Sequence, residues 1–174
     1  WPPLRTMFSM FSLMSSLRRS RYLVSSETAA ELLAVLTATK EWGDPDIVAG
    51  LEWLTGMALL QHGDLDEAEE HLRAGLALTE RTGNLITQTW LLTWLSVLHR
   101  KRSQTEATRE FALRGIQTAN TTQVMENAAL AMGNLAWLAW LERDLTETGR
   151  QGRAALKTLD QTAFVYAFHW TALF

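Results

Sequence analysis

Gly63-Asp64-Leu65-Asp66-Glu67-Ala68 is the stretch that decides the fold. Glycine takes the left-handed conformation that ends a helix without steric cost. The acidic residues behind it suit the start of a new helix. Apolar residues keep helical spacing on both sides: Ile47, Leu51, Leu54, Met57 and Ala58 before the turn, Ala68, Leu72 and Leu76 after it. Asp44 is placed to cap the first helix, with Pro45 in its first turn, and Gly83-Asn84 closes the second. The stretch therefore joins two antiparallel helices.

The phrase returns along the chain. Arg102-Ser103-Gln104-Thr105-Glu106-Ala107 stands 39 residues on, and Arg143-Asp144-Leu145-Thr146-Glu147-Thr148 a further 41. Counting back 39 from Ala68 reaches Ala29, inside Glu27-Thr28-Ala29-Ala30-Glu31-Leu32-Leu33. One domain spanning 1–174 is expected, with units at about 3–43, 44–83, 84–121 and 122–161 and a fifth beginning in 162–174. The third unit places its helices at about 85–101 and 104–119, the fourth at about 122–142 and 145–160. Nothing alternates with period two, so no sheet is expected. A lone hairpin cannot bury both faces, whereas stacked hairpins can. The fold class is all-α, a solenoid of stacked antiparallel helical hairpins with eight or nine helices. Ala68 and Ala107 are expected to be buried where paired helices cross.

The Gly63-Asp64-Leu65-x-Glu67-Ala68 turn, with Gly56 upstream and Leu72 downstream, resembles the tetratricopeptide pattern. The resemblance covers nearly the whole chain, and the unit at 45–83 matches it well. Leu95 and Ala136 stand where that unit has Gly56, Arg102 and Arg143 replace the turn glycine, and Thr148 replaces the alanine. The family implies a right-handed superhelix whose first helices line a concave surface. Longer units with phrases such as Glu41-Trp42-Gly43-Asp44-Pro45 look like the C-terminal repeat regions of bacterial signalling ATPases, including maltose-activator-like transcription regulators and adenylate-cyclase-type proteins. There the repeats are sensor and assembly modules beside a nucleotide-binding domain. This chain contains no Gly-x-x-x-x-Gly-Lys-Ser/Thr loop.

Composition agrees with a globular chain: 47% hydrophobic and 20% charged over 174 residues, net charge −3. That balance gives no electrostatic reason to bind nucleic acid directly. Arg18-Arg19-Arg21 and Arg100-Lys101-Arg102 read as solvated helix ends, where cations are favoured. The absence of cysteine excludes disulfides, zinc thiolates and a cysteine nucleophile in this chain. No run is long and apolar enough for a membrane span, even the uncharged 128–141. No secretory signal precedes the helices, so a cytoplasmic location is expected. The start at Trp1-Pro2-Pro3 and the stop at Phe174 inside an apolar run read as cuts in a longer polypeptide.

No catalytic constellation emerges. Neither Glu-x-x-His nor His-Glu-x-x-His surrounds His62, His71, His99 or His169, and no Gly-x-Ser-x-Gly elbow occurs. No enzyme activity, metal or cofactor is expected. Glu67 and His71 read as a surface pair. Asn120-Thr121-Thr122 is a formal glycosylation sequon that reads as the beginning of a helix.

Eight tryptophans are many for this length, and Trp53, Trp90, Trp94, Trp137, Trp140 and Trp170 fall on first helices. Filling wide inter-helix spaces is the plainer reading. The sharper one is a concave binding groove. Its first trio is Trp53, Met57 and Leu60. A shift of 39 gives Leu92, Ser96 and His99 with Arg100 adjacent, and a further 41 gives Gly133, Trp137 and Trp140. The expected function is a protein-interaction or assembly module of a larger bacterial signalling or transcription-regulating protein, taking a protein or peptide partner. The alternative is a domain sensing a peptide or small-molecule effector in the same groove. Phe164, Val165, Phe168, Trp170 and Phe174 suggest self-association through a C-terminal helix left without its stacking partner.

Overall fold

A computed structural model describes residues 26–41 and 43–162. The expectations for Trp1, Arg18-Arg19-Arg21, Trp42, the C-terminal apolar cluster and the fifth unit lie outside the described residues. Among the described residues seven helices follow one another: α1 Ser26–Lys40, α2 Pro45–His62, α3 Leu65–Thr82, α4 Leu85–Lys101, α5 Thr105–Thr122, α6 Met125–Leu141 and α7 Leu145–Leu159. Among the described residues there is no strand. Successive helices pack antiparallel as the hairpins α2–α3, α4–α5 and α6–α7, with α1 against α2. The first helices also touch one another, α2 on α4 and α4 on α6. The architecture is all-α and solenoid-like, built by sequential stacking.

From Gly63 to Arg143 the period is 40 residues, not 39 followed by 41. Three turns hold a left-handed residue: Gly63 at φ 111°, Ser103 at 58° and Arg143 at 62°, at positions 63, 103 and 143. Gly83 and Gln123, also left-handed, close the second helices at the same spacing. One backbone bond recurs at each hairpin turn: the N–H of Asp64 to the carbonyl of Leu59 at 3.0 Å, Gln104 to His99 at 2.9 Å, and Asp144 to Ala139 at 2.9 Å. It satisfies a carbonyl that the helix end would leave unpaired. Asp44, Asn84 and Asp144 cap the helices behind them through side-chain oxygens.

A strict 40-residue register revises the third unit. The counterpart of Gly63 is Ser103, not Arg102, and that of Ala68 is Thr108, not Ala107. Ala68 and Thr108 are fully buried, whereas Ala107 is half-buried. Helix α5 runs on through Thr122, so Asn120-Thr121-Thr122 ends a helix instead of beginning one. Near its end Thr118, Thr121 and Thr122 each donate a hydroxyl hydrogen bond to a carbonyl four residues back.

Small side chains occupy the crossings. Gly56, Ser96 and Ala136 share one position, and Gly75, Gly115 and Ala155 another. A Cβ on Gly56 would lie 2.7 Å from Leu72 Cγ and 3.1 Å from the Ala68 carbonyl. The α2–α3 hairpin therefore closes more tightly than a larger residue at either partner would allow. Leu54, Leu60, Leu72, Leu91, Leu92, Leu95 and Leu98 form the central core. Helices α2, α4 and α6 are buried along most of their length, and α3, α5 and α7 turn a charged face to solvent.

Candidate functional site

The first-helix face is the expected binding surface, and the 40-residue register redefines who sits on it. Positions 53, 57 and 60 recur as Thr93, Val97 and Arg100, then as Gly133, Trp137 and Trp140. Ser96 and His99, taken from the shorter offset, are one residue out of register. Both are buried for other purposes. Ser96 accepts a 2.6 Å hydrogen bond from Asn134 Nδ2 and donates to the Thr93 carbonyl. His99 stacks on Phe111 at 5.2 Å with the rings 7° apart, and its Nδ1 lies 2.6 Å from Gln104 Oε1.

Much of the face is closed. Trp53, Met57 and Leu60 belong to the core, with Trp53 only 5% exposed and its ring 4.7 Å from that of Trp90. Thr93 and Val97 are buried too. These side chains fill the space between adjacent first helices and do not line an open channel. Of the ten expected groove residues, Arg100, Trp137 and Trp140 reach the surface. Trp137 is half-buried against the cluster of Ala112, Ala131, Leu135 and Leu138. Trp140 is 57% exposed, and Leu141 and Leu145 beyond it are 43% and 73% exposed. Arg100 and Trp140 occupy equivalent places on the adjacent helices α4 and α6, as do Lys101 and Leu141. An exposed apolar corner thus borders a basic one. Neither Leu141 nor Leu145 was among the groove residues read from the sequence.

Arg100 is half-buried, and among the described residues it makes no ion pair. Burial alone pushes its guanidinium below the ordinary arginine range. The other described arginines without a carboxylate, Arg81, Arg143 and Arg153, are all exposed. Withdrawal from water without a counter-ion sets Arg100 apart.

Two polar clusters lie elsewhere. Glu52, buried in α2, accepts hydrogen bonds from His71 Nδ1 at 2.6 Å and Lys40 Nζ at 2.8 Å. His71 is therefore engaged with Glu52 inside the hairpin and not with Glu67 on its surface. Desolvation raises the Glu52 carboxyl, but hydrogen bonds from His71 and Lys40 and their charge outweigh it and hold the group below 4.5. A pocket of about 320 Å³ opens between α3 and α5, lined by Arg73, Glu80, Glu110, Phe111 and Arg114 among others. Its arginines are already committed, Arg73 to Glu69 and Arg114 to Glu80.

No family model and no curated protein matches the chain. Among solved structures it is similar to the crystal structure of BtubC (BKLC) from P. vanneervenii, with a TM-score of 0.73 over 94% of this chain and 67% of that one, at 16% identity. At that identity the likeness carries the fold alone. No described helix is long and apolar enough to cross a membrane.

Proposed function

We propose that this chain is a protein-interaction module, a tetratricopeptide-like scaffold serving assembly within a larger bacterial signalling or transcription-regulating protein. The observation that carries the reading is the corner at the end of α6. Trp140, Leu141 and Leu145 expose large apolar side chains together, beside the cations of Arg100 and Lys101. Aromatic side chains and arginine are over-represented at binding hot spots, where they combine large contact area with directed polar groups. The tetratricopeptide assignment is supported by the glycine turn at 63, the small residues at the crossings and the hairpin stacking. Seating the module in a cytoplasmic regulator follows from the resemblance of its units to those regulators' repeats.

Site-specific photo-crosslinking tests the reading. A crosslinker at Trp140, in the full-length protein in its native cell, is expected to yield discrete protein adducts. The same group at Leu113, 53% exposed on α5, is the control and is expected to yield few. Equal adduct patterns from the two positions, or none from Trp140, would refute the proposal.

A further inference from the structure

Resting on that interaction surface, we infer that Arg100 is the anchor for a carboxylate of the partner, an acidic residue presented next to a large apolar side chain that packs on Trp140. Arg100 has no carboxylate among the side chains the structure describes, and in residues 1–28, 42 and 163–174 the sequence holds a single acidic residue, Glu27. Its position in the last turn of α4 is favourable to a cation, but His99 and Lys101 share that turn. The helix end supplies no second ion for a guanidinium withdrawn from water. A partly desolvated, unpaired charge is held at a cost that an incoming carboxylate relieves. The planar fork of arginine can meet both oxygens of that carboxylate at once. One step along the solenoid, Trp140 offers an exposed ring at the equivalent position, with Trp137 a turn before it. The pair defines a two-point ligand, one anionic group and one apolar group side by side. A polyanion fits less well, because the chain is net acidic at −3 and this cationic patch is a single Arg-Lys pair.

Random-peptide display on the purified chain, on R100M and on W140A tests this. Wild type is expected to select peptides with Asp or Glu adjacent to an aromatic or aliphatic residue. R100M should lose the acidic preference and keep the apolar one, and W140A the reverse. Exchanging the selected acid for its amide should weaken binding to the wild-type chain by about tenfold or more, a comparison that does not depend on any variant folding. Neutral peptides selected equally by wild type and R100M would overturn the role of Arg100 while leaving the interaction surface standing. Failure to select any peptide overturns the inference, and joined to an absence of adducts from Trp140 it overturns the interaction reading as well. Arg100-dependent binding to phosphatidylserine vesicles or to single-stranded DNA, with no affinity for the acidic peptides, would also reject it.

Discussion

Gly75 and Gly115 hold the same place in successive hairpins, yet a methyl group would meet different surroundings at each. At Gly75 an added Cβ falls 2.8 Å from Leu91 Cδ2 and 3.1 Å from Glu52 Cβ, both in packed surroundings. At Gly115 its nearest neighbour is Thr93 Oγ1 at 3.5 Å, an ordinary contact. The next unit already carries Ala155 there. Gly75→Ala is therefore expected to destabilise by about 1–3 kcal/mol through overpacking. Gly115→Ala should stabilise by roughly 0.5–1 kcal/mol through helix propensity. Chemical denaturation measures both, and shifts of the same sign would mean that the units cross alike. Glu52, against Gly75, makes a second residue-scale test. Its folded carboxyl titrates below the ordinary 4.5, so its contribution is complete above that value and is lost as pH falls through the folded pKa. The melting-temperature gap between wild type and Glu52→Gln should narrow as pH falls below about 4.5. A gap unchanged down to pH about 3 would show that the ionised carboxylate is not what Glu52 contributes.

Between elements, one contact is used twice with its charges reversed. Glu69 on α3 pairs with Arg102 in the turn of the next hairpin, and 40 residues on Arg109 on α5 pairs with Glu142. The first pair is shielded, with each side chain about a fifth exposed, and the second is open to solvent. Arg109→Glu should accordingly cost only about 0.2–1 kcal/mol, and Glu142→Arg added to it should restore stability. A double-mutant cycle by urea denaturation measures the coupling, and additive effects would show that the two side chains do not interact. This pairing was not legible in the sequence, although helix existence and pairing were. The phrase at 63–68 is easily read because glycine is the residue type that left-handed turns select. Ser103 and Arg143 do the same work without announcing it, so Arg102 was taken for the turn residue and the third unit slipped by one. The fourth unit recovered, since 39 and 41 make two periods of 40, and Trp137 and Trp140 share the register of Met57 and Leu60. Ser96 and His99 were misplaced by that slip. Trp53, Met57 and Leu60 were in register, but their closure by neighbouring first helices is tertiary packing that periodicity does not reveal.

For the whole molecule, a strict period means that one unit can be removed without disturbing any turn. Deleting residues 84–123 joins Gly83 to Val124, the structural counterpart of Asn84. The shortened chain should fold, with helical ellipticity per residue close to that of the parent. Its units, though, are not interchangeable. Asn127 donates to Thr93 at 3.1 Å and Asn134 to Ser96 at 2.6 Å, both inside the core between α4 and α6. After the deletion α6 would lie on α2, where the corresponding residues are Trp53 and Gly56. Both amides would lose their partners, at about 1–3 kcal/mol for each buried group left unsatisfied. Glu142 would also face Glu69 in place of Arg109. Buried polar pairs and charge signs together specify which unit follows which, on a backbone that accepts any order. The deletion should therefore melt well below the parent, and giving α6 and its turn the residues that α4 and its turn present to α2 and α3 should raise it again. Those changes are Asn127→Thr, Asn134→Trp and Glu142→Arg, read from Thr87, Trp94 and Arg102. If the repaired and unrepaired deletions melt together, order is set by something other than these contacts. If neither regains helical content, the 40-residue unit is not an independent layer of the stack.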